Sequence, residues 1–379
     1  MYNYQRNNRY FAQVADDIKD IAEKELYNLG ARDIKSVYRG LHFNASQKIL
    51  YSINYSSFLI NRVLAPIKTF KCHSDKYLYS QSLDINWADF LDQNRTFAVY
   101  ATVSNSAIKH SKFASLRLKD AIVDYFKKEH NVRPEIDKTS PDVWFNLHIE
   151  NNHATISVDT SGGSLHRRGY RTKSVEAPMI ETLAAALIRY SGWKPNIPIY
   201  DPFCGSGTIL CEAFLNGTGK PPGILRKRFG FEALPDFNNS LWEDLRTSTL
   251  QKNTVIGKGI ISGSDIDPVA VQSTRDNCSM IDHENMIEIK RMDVFDIPSL
   301  EDCFIVCNPP YGIRLRKKSD LYEFYKRLGD FLKRRCKGST AFIYFGEREY
   351  IKSMGLKPSW KKILSNGGLD GRLVKYELY

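Results

Sequence analysis

Apolar and polar residues alternate with two different periods over the first 160 residues of the chain. Helical spacing over 18–29 and 111–129 predicts two amphipathic helices, and two strands are predicted by the alternation over 34–43 and by the largely apolar run over 97–103. The same patterns predict further elements, namely strands at 11–14 and 66–73, helices at 47–60 and 75–91, and a hairpin of 143–149 and 155–158 that turns at Asn151-Asn152. This mixture of helices and strands predicts an α+β fold.

The second part of the chain alternates short apolar runs with helical stretches. The strands are predicted to end at Asp201, Asp265, Asp293 and Cys307, with a fifth at 340–345, and the helices lie at 175–191, from Thr208 onwards and at 320–336. The last segments, 361–365 and 372–378, predict a closing β-hairpin. Strands and helices in this order predict a Rossmann-like α/β sheet, which binds ligands at the carboxyl ends of its strands.

The most informative of these strand ends carries Asn308-Pro309-Pro310-Tyr311-Gly312. The two prolines fix the backbone and remove two hydrogen-bond donors. The Asn308 side-chain oxygen and the Pro309 carbonyl can then act together as acceptors, while the Tyr311 ring stacks on a flat base. Two acceptors beside a ring suit an exocyclic NH2 group, so the motif predicts methylation of a nucleobase amine. Guanine N2, adenine N6 and cytosine N4 all fit it, and a Pro-Pro loop with a buried tyrosine is the alternative interpretation.

A glycine-rich turn, Cys204 to Gly207, follows the first strand and leads into the helix that starts near Thr208. Gly205 and Gly207 allow the backbone to approach a ligand closely, and the helix N-terminus offers free N–H donors. The turn lacks the third glycine of the dinucleotide fingerprint. It also lacks a lysine after the glycines, which excludes a P-loop.

Carboxylates end the next two strands. Asp265 is predicted to accept both ribose hydroxyls of a nucleoside cofactor. Asp267 precedes Pro268 and is predicted to cap a helix instead. Asp293 is predicted to accept the adenine amine of the same cofactor, with a surface-turn carboxylate as the alternative.

Taken in chain order, the four strand ends read Asp-Pro-Phe-Cys-Gly-Ser-Gly, Ser-Asp-Ile-Asp, Met-Asp-Val and Asn-Pro-Pro-Tyr. In this order they resemble the S-adenosylmethionine-dependent amino-methyltransferases. The resemblance implies a class I methyltransferase domain with S-adenosylmethionine as cofactor and with Asn308, Pro309 and Tyr311 as catalytic residues. It places the cofactor contacts at Asp201, Phe203, Gly205, Gly207, Thr208, Asp265, Ile266, Asp293 and Val294.

The segment before the first strand extends the resemblance to a narrower family. Residues 166–171 and 177–187 look like the stretch that precedes the catalytic domain of THUMP-domain RNA guanine-N2 methyltransferases, and 222–242 looks like that family's insert. Such an insert accounts for the long separation between Gly205 and Asp265, where a plain fingerprint has about 20 residues.

This family resemblance implies a domain order and a substrate. The order is a ferredoxin-like piece at 1–60, a THUMP RNA-binding domain at 61–160, a linker at 161–174 and the methyltransferase domain at 175–379. The implied activity is methylation of guanosine N2 in RNA, of the bacterial 23S ribosomal RNA type. A tRNA guanine-N2 methyltransferase, a DNA adenine-N6 methyltransferase and a non-catalytic RNA-binding protein are the alternatives.

The charge of the chain indicates what kind of partner it binds. The net charge is +11, and basic clusters at 166–173, 226–228, 314–318 and 333–337 predict a rim that faces an RNA backbone. The candidate phosphate contacts are Arg167, Arg168, Arg171, Arg314 and Arg316. A further basic patch is predicted on the THUMP-like part, with an ordinary helix surface as the alternative; it consists of Lys109, His110, Lys112, Arg117 and Lys119.

The remaining composition excludes several classes of protein. No apolar run is long enough to span a membrane, and the polar start of the chain does not resemble a signal peptide. The seven cysteines form no Cys-x-x-Cys pair, so neither a zinc site nor a disulfide framework is predicted. We therefore expect a cytoplasmic, monomeric protein that works without a metal ion.

Overall fold

The computed structural model describes residues 1–173, 178–310, 318–366 and 370–379, without the side chains of 318 and 319. Within these residues the chain forms two compact units. Unit 1 consists of Met1–Leu165 and Arg226–Thr247, and unit 2 consists of His166–Leu225 and Ser248–Tyr379.

Unit 1 is an α+β unit, as the sequence predicts. Its strands are β1 (Arg9–Gln13), β2 (Arg32–Val37), β3 (Gly40–Asn44), β4 (Arg62–Lys71), β5 (Phe97–Ser104), β6 (Val143–Glu150) and β7 (His153–Asp159). Its helices are α1 (Asn3–Asn7), α2 (Lys19–Asn28), α3 (Gln47–Ser56), α4 (Asp75–Leu83) and α5 (Ser111–His130). The described strands form one sheet in the order β2-β3-β1-β4-β7-β6-β5, in which only β5 and β6 pair in parallel.

The sheet of unit 1 runs across the predicted boundary at residue 60. Strand β1 pairs with β4, so that Phe11 lies opposite Leu64. The ferredoxin-like piece and the THUMP region therefore share one sheet. The division between them at residue 60 stays a prediction.

The single strand predicted over 34–43 is wrong. This segment forms a hairpin of β2 and β3, with Arg39 in the turn at a φ of 53°. Gly40 permits the turn to pack on β1, because a Cβ at this position would lie 2.2 Å from the Phe11 ring. The alternation of apolar residues continues through the turn, and this conceals it in the sequence.

Two predicted helices of unit 1 are shorter than expected. The helix predicted over 47–60 ends at Ser56 because the Glu25 carboxylate accepts hydrogen bonds from the Ser57 hydroxyl and the Phe58 N–H, at 2.6 and 3.1 Å. The helix predicted over 75–91 ends at Leu83 and is followed by a separate 3-10 turn at Trp87–Asp89.

Residues 226–247 follow the glycine-rich turn in the sequence but fold with unit 1. The Phe231 ring stacks on Tyr51 with 4.3 Å between the ring centroids. The Tyr4 hydroxyl donates to the Asp236 carboxylate at 2.6 Å. Residues 226–242 of the predicted 222–242 insert therefore belong to unit 1, while 222–225 belong to unit 2.

The basic cluster at 226–228 is also bonded within unit 1. The Arg226 guanidinium donates to the Ser161 carbonyl at 2.8 Å, and Arg228 forms an ion pair with Asp142. These two arginines hold the segment in place and do not form part of a rim on the catalytic unit.

Unit 2 has the predicted α/β fold. Its strands are β8 (Ile199–Asp201), β9 (Ile261–Asp265), β10 (Glu288–Arg291), β11 (Phe304–Cys307), β12 (Thr340–Phe345), β13 (Trp360–Ile363) and β14 (Arg372–Glu377). The remaining helices are α6 (Glu181–Ser191), α7 (Thr208–Thr218), α8 (Asn239–Leu250), which begins in the segment belonging to unit 1, α9 (Pro268–Ser279) and α10 (Lys318–Arg335).

The described strands of unit 2 form a sheet in the order β10-β9-β8-β11-β12-β14-β13. The first five are parallel, and β14 pairs antiparallel with both β12 and β13. The predicted closing hairpin is thus confirmed. No helix in the described residues is long and apolar enough to span a bilayer.

One helix of unit 2 begins later than predicted. Helix α6 was expected from residue 175 but starts at Glu181, after an extended Ile180. Residues 174–177 lie outside the described part of the chain.

Candidate active site

The carboxyl ends of β8, β9, β10 and β11 lie side by side at one edge of the sheet in unit 2. Strand β9 pairs in parallel with β8 and β10, and β8 pairs in parallel with β11. Each of these four ends carries one of the predicted motifs. The fold therefore brings together motifs that are far apart in the sequence.

The glycine-rich turn links β8 to α7 in a conformation that requires glycine. Gly205 and Gly207 have φ angles of 58° and 81°, which other residues rarely adopt. A Cβ on Gly207 would also lie 2.8 Å from the Cγ2 atom of Thr274 in α9. A ligand was expected to approach the backbone closely at Gly207, but helix α9 occupies at least part of this space.

Three hydrogen bonds fix this turn to its neighbours. The Gly205 N–H donates to Oδ2 of Asp265 at 2.9 Å, and the Gly205 carbonyl accepts from the Thr274 hydroxyl at 2.8 Å. The Ser206 carbonyl accepts from the Asn277 side chain at 2.9 Å. The glycine turn is therefore held by β9 on one side and by α9 on the other.

Asp265 fits the predicted role at a cofactor ribose. Its Oδ2 accepts from Gly205, and its Oδ1 accepts from the Asp267 N–H at 3.0 Å. An ionised carboxylate has about four acceptor positions, so each oxygen retains capacity for a hydroxyl group. Ile266, the next residue, is 61% exposed and offers an apolar surface beside this carboxylate.

Asp267 caps α9, as predicted. Its carboxylate accepts from the Val269 N–H at 2.9 Å, and Pro268 occupies the first helical position. The observed cap leaves Asp265 as the carboxylate assigned to the ribose.

Asp293 and Val294 follow β10 and have different surroundings. The Asp293 carboxylate caps a short 3-10 turn, because its Oδ1 accepts from the Phe295 N–H at 3.0 Å. The Val294 side chain is buried in the core of unit 2. A cofactor contact at Val294 would therefore have to use its backbone.

Asp201, at the end of β8, is a buried acid and accepts from the Phe203 N–H at 3.0 Å. Its pKa is raised to about 8, chiefly by burial, while the Phe203 N–H opposes the shift and the nearby Asp265 carboxylate adds to it. Burial therefore favours the protonated form of Asp201. The Phe203 ring packs against Phe324 of α10, with 5.8 Å between the centroids.

Asn308 and Pro309 follow β11 at the same edge of the sheet. The Asn308 side-chain oxygen is buried and has no hydrogen-bond partner among the described residues. Buried polar atoms in folded proteins nearly always have a partner, so an exception calls for an explanation. Tyr311, Arg314 and Arg316 lie outside the described residues.

Arg168 does not have the predicted surface position. It is 2% exposed, and its Nε donates to Glu212 of α7 at 3.3 Å. The same carboxylate accepts from the Tyr170 hydroxyl at 3.0 Å. The predicted phosphate contact at Arg168 is therefore replaced by a buried ion pair that anchors the 166–171 segment to α7.

Arg171 also makes its contacts within the unit. Its guanidinium donates to the Thr208 hydroxyl at 3.0 Å, at the first residue of α7, and forms an ion pair of 3.0 Å with Glu181. Thr208 lies next to the glycine turn, and Glu181 lies at the start of α6. Arg171 and Glu181 line a cavity of about 420 Å³. Arg167 is exposed, and a contact with RNA at this residue stays a prediction.

Sequence reasoning missed three residues that support this site. Thr274 and Asn277 bind the glycine turn from α9, and Glu212 holds Arg168. Thr274 and Asn277 carry no motif, although their spacing of three residues would place them on one face of a helix. Glu212 could have been suspected, because it is an acid among the apolar residues of α7.

Comparison with known proteins identifies the family of this chain. A model of the RMKL-like methyltransferase domain matches residues 168–375, and a THUMP domain model matches 72–159. The chain belongs to the RMKL-like methyltransferase family. The predicted resemblance and fold class are thereby confirmed, and the THUMP match falls inside the predicted 61–160 domain.

Three relatives illustrate the family. The chain is 38% identical over 98% of its length, and over 97% of the relative, to slr0064 of Synechocystis sp., which is named as a candidate RNA methyltransferase. It is 33% identical to the ribosomal RNA large subunit methyltransferase K/L of Shewanella frigidimarina over 98% of its own length, and it spans 53% of that relative. The crystal structure of SMU.472, a candidate methyltransferase, is 26% identical over 98% of both chains with a TM-score of 0.86. SMU.472 was crystallised with S-adenosylhomocysteine, which agrees with the cofactor predicted for this chain.

Proposed function

We propose that the protein transfers a methyl group from S-adenosylmethionine to the N2 amine of a guanosine in large-subunit ribosomal RNA. The observation that carries this proposal is the buried side-chain oxygen of Asn308, which has no partner among the described residues. An acceptor that is desolvated but unused is preorganised for a donor that arrives with the substrate. An exocyclic amine is such a donor.

The residues of the site fall into two groups, those that would bind the cofactor and those that would bind the base. Asp265 and the glycine turn would hold the ribose and the amino-acid side of S-adenosylmethionine, and Asp293 would accept the adenine amine. When bound, this cofactor supplies a methyl group that is already activated by its sulfonium centre. The task left to the chain is to orient and activate the amine.

Guanine N2 is a poor nucleophile because its lone pair is conjugated with the ring. Asn308 and the Pro309 carbonyl would accept its two hydrogens, raise the electron density on nitrogen and aim the lone pair at the methyl group. Neither acceptor is a base at neutral pH, so the proton displaced from nitrogen passes to water. Tyr311 would stack on the base, which has to leave its own stack to enter the site.

The choice of guanosine in ribosomal RNA is supported by two similarities. The relative from Shewanella is named for the large ribosomal subunit, although this chain spans only about half of it. The THUMP match adds a domain of the kind expected in RNA-modifying enzymes. The Asn308 site by itself fits adenine N6 and cytosine N4 equally well.

The substrate can be tested by nucleoside mass spectrometry. Ribosomal RNA, tRNA and DNA from a strain that lacks the protein are digested and compared with those of the parent strain. We expect loss of N2-methylguanosine from the large-subunit RNA, restored by the wild-type gene. Loss from tRNA, or loss of N6-methyladenine from DNA, would identify one of the alternatives.

The role of Asn308 is tested in vitro with the purified protein. Asn308→Ala should lower the rate of methyl transfer by about 100- to 1000-fold, the scale for loss of one preorganised polar contact, and leave the affinity for S-adenosylmethionine unchanged. Asn146→Ala in unit 1 is the matched control, because Asn146 is also buried with an unpartnered side-chain atom in the described structure. Equal activity of the two variants would overturn the assignment.

A further inference from the structure

Three connections meet at one end of the sheet in unit 1. They are residues 72–74 between β4 and α4, residues 105–110 between β5 and α5, and the turn at 151–152 between β6 and β7. We call this end, from Lys71 to Lys76 and from Asn105 to Phe113 together with the turn, the lysine edge.

Asn152 organises the lysine edge. Its carbonyl accepts from the Cys72 N–H at 2.6 Å, and its side-chain oxygen accepts from the Ala107 N–H at 2.8 Å. Its own N–H donates to the Ser106 hydroxyl at 3.0 Å. The three connections are therefore bonded to one another, and the side chains that they carry stand on a fixed framework.

Four lysines project from this framework, namely Lys71, Lys76, Lys109 and Lys112, and all four are exposed. None of them forms an ion pair within the described residues. Of the carboxylates close by, Asp75 pairs with Arg117 at 3.6 Å, and Glu150 lies 3.7 Å from His148, which forms an ion pair with it only when protonated, so four lysines face one unpaired carboxylate. The lysine edge therefore carries a positive charge that the described chain does not neutralise.

Exposed apolar side chains accompany these lysines. Phe113, in the first turn of α5, is 46% exposed, and Leu116, one turn further on, is 43% exposed. Tyr77 of α4 is 38% exposed and stacks on His73 with 5.0 Å between the rings. A single exposed ring is ordinary, but exposed rings beside uncompensated lysines combine the two groups that bind unpaired nucleic acid.

We propose that the lysine edge is a docking surface for single-stranded or looped RNA, with the lysines at the phosphates and Phe113 stacked on a base. The proposal rests on the proposed function, which makes RNA the substrate, and adds the surface of unit 1 that holds it. Two of the five residues predicted for the basic patch are not part of it. Arg117 is paired with Asp75, and Lys119 is paired with Asp120 at 2.5 Å.

The charge is tested by RNA binding of the full chain as a function of salt. Lys71→Ala, Lys109→Ala and Lys112→Ala are combined in one variant. The matched control combines Lys24→Ala, Lys35→Ala and Lys48→Ala, three exposed lysines of α2, β2 and α3, which lie away from β5 and β6 in the sheet order. Both variants lose the same net charge.

With deproteinised large-subunit ribosomal RNA as the probe, the lysine-edge variant should bind at least about tenfold more weakly, and its slope of log affinity against log salt should fall by about 2 to 3. The KM for RNA should rise while kcat and cofactor affinity stay constant. Equal weakening in the control variant would show an effect of net charge alone and would overturn the proposal, as would unchanged binding.

The stacking role is tested at Phe113. Phe113→Ala should weaken RNA binding by about tenfold without changing the salt slope, and Phe113→Tyr should restore most of the affinity because it keeps the ring. Binding that is insensitive to the ring would overturn this part of the proposal. Since the readout is RNA affinity, the result is independent of which nucleotide is methylated.

Discussion

The Gly205 N–H donates a hydrogen bond of 2.9 Å to the Asp265 carboxylate, although 60 residues separate the two in the sequence. Part of the intervening chain, 226–247, folds with unit 1. The bond links the glycine turn after β8 to the end of β9, so the two motifs predicted to hold the cofactor form one structure. Asp265 thus positions the turn, and the same carboxylate is the one proposed to accept from the cofactor ribose.

Asp265→Ala should weaken S-adenosylmethionine binding by about 1.5 to 3 kcal/mol, since it removes hydrogen bonds to a charged group and releases the glycine turn. Isothermal calorimetry measures this directly. Asp267→Ala is the control: it should lower stability by about 1 kcal/mol through loss of the α9 cap but leave cofactor affinity unchanged. Were the two variants to lose affinity equally, the ribose assignment to Asp265 would be wrong.

Gly207→Ala should destabilise the protein and impair cofactor binding for two reasons. Its φ of 81° strains any L-residue by about 1 to 2 kcal/mol, and the new Cβ would meet Thr274 at 2.8 Å. Gly192→Ala is a matched control, because its φ is 68° but no heavy atom lies within 4 Å of the added Cβ.

The difference between these two glycine variants measures the clash alone, by chemical denaturation. Adding Thr274→Ser to Gly207→Ala should recover part of the loss, because serine lacks the Cγ2 atom but keeps the hydroxyl that donates to the Gly205 carbonyl. A double variant as unstable as Gly207→Ala would show that backbone strain accounts for the whole effect.

Asn308→Ala should leave the free energy of unfolding unchanged or raise it slightly. The variant removes a buried oxygen that has no partner among the described residues, and an unsatisfied buried polar atom costs about 1 to 3 kcal/mol. The same change is expected to abolish most of the methyl transfer. Thermal denaturation of the wild type and the variant without cofactor tests this, and a marked loss of stability would mean that the oxygen has a structural partner.

Motifs and strand ends were predictable because each depends on local chemistry. An apolar run followed by Asp, Gly or Asn-Pro-Pro identifies a strand end, and parallel pairing then brings such ends to one edge of the sheet. The Asp267 cap was predictable from Pro268 for the same reason.

Other features depend on contacts between distant segments. The burial of Arg168 depends on Glu212, and the placement of 226–247 depends on Tyr4 and Tyr51. Neither the burial of Arg168 nor the placement of 226–247 can be read from a local sequence pattern.

One practical consequence is that deleting residues 1–160 alone would leave 226–247 without its packing partners, so a catalytic fragment should omit both segments.

Arg168→Ala should destabilise the protein by about 3 to 5 kcal/mol, because it leaves the buried Glu212 carboxylate without its cation. Arg168→Met combined with Glu212→Gln should recover most of this, since the pair is replaced together and glutamine can still accept from Tyr170. The exposed Arg167 is the control, and Arg167→Ala should change stability by less than about 0.5 kcal/mol. If Arg168→Ala instead weakens RNA binding with no loss of stability, the original prediction of a phosphate contact is restored.

The buried Asp201 should make stability depend on pH. Its pKa is raised from 3.8 in the unfolded chain to about 8 in the folded one, chiefly by burial. Below pH 3.8 Asp201 is protonated in both the folded and the unfolded state, and its full contribution to stability is present. As the pH rises from 3.8 towards 8, the unfolded state loses its proton first, so stability falls until the folded state ionises near pH 8.

Asp201→Asn cannot ionise and still accepts from the Phe203 N–H, so its melting temperature should fall less than that of the wild type between pH 3.8 and pH 8. The Asp265 charge adds to the shift, and Asp265→Ala should therefore shorten the window from its upper end. Parallel melting curves for wild type and Asp201→Asn across the whole range would show that Asp201 titrates normally.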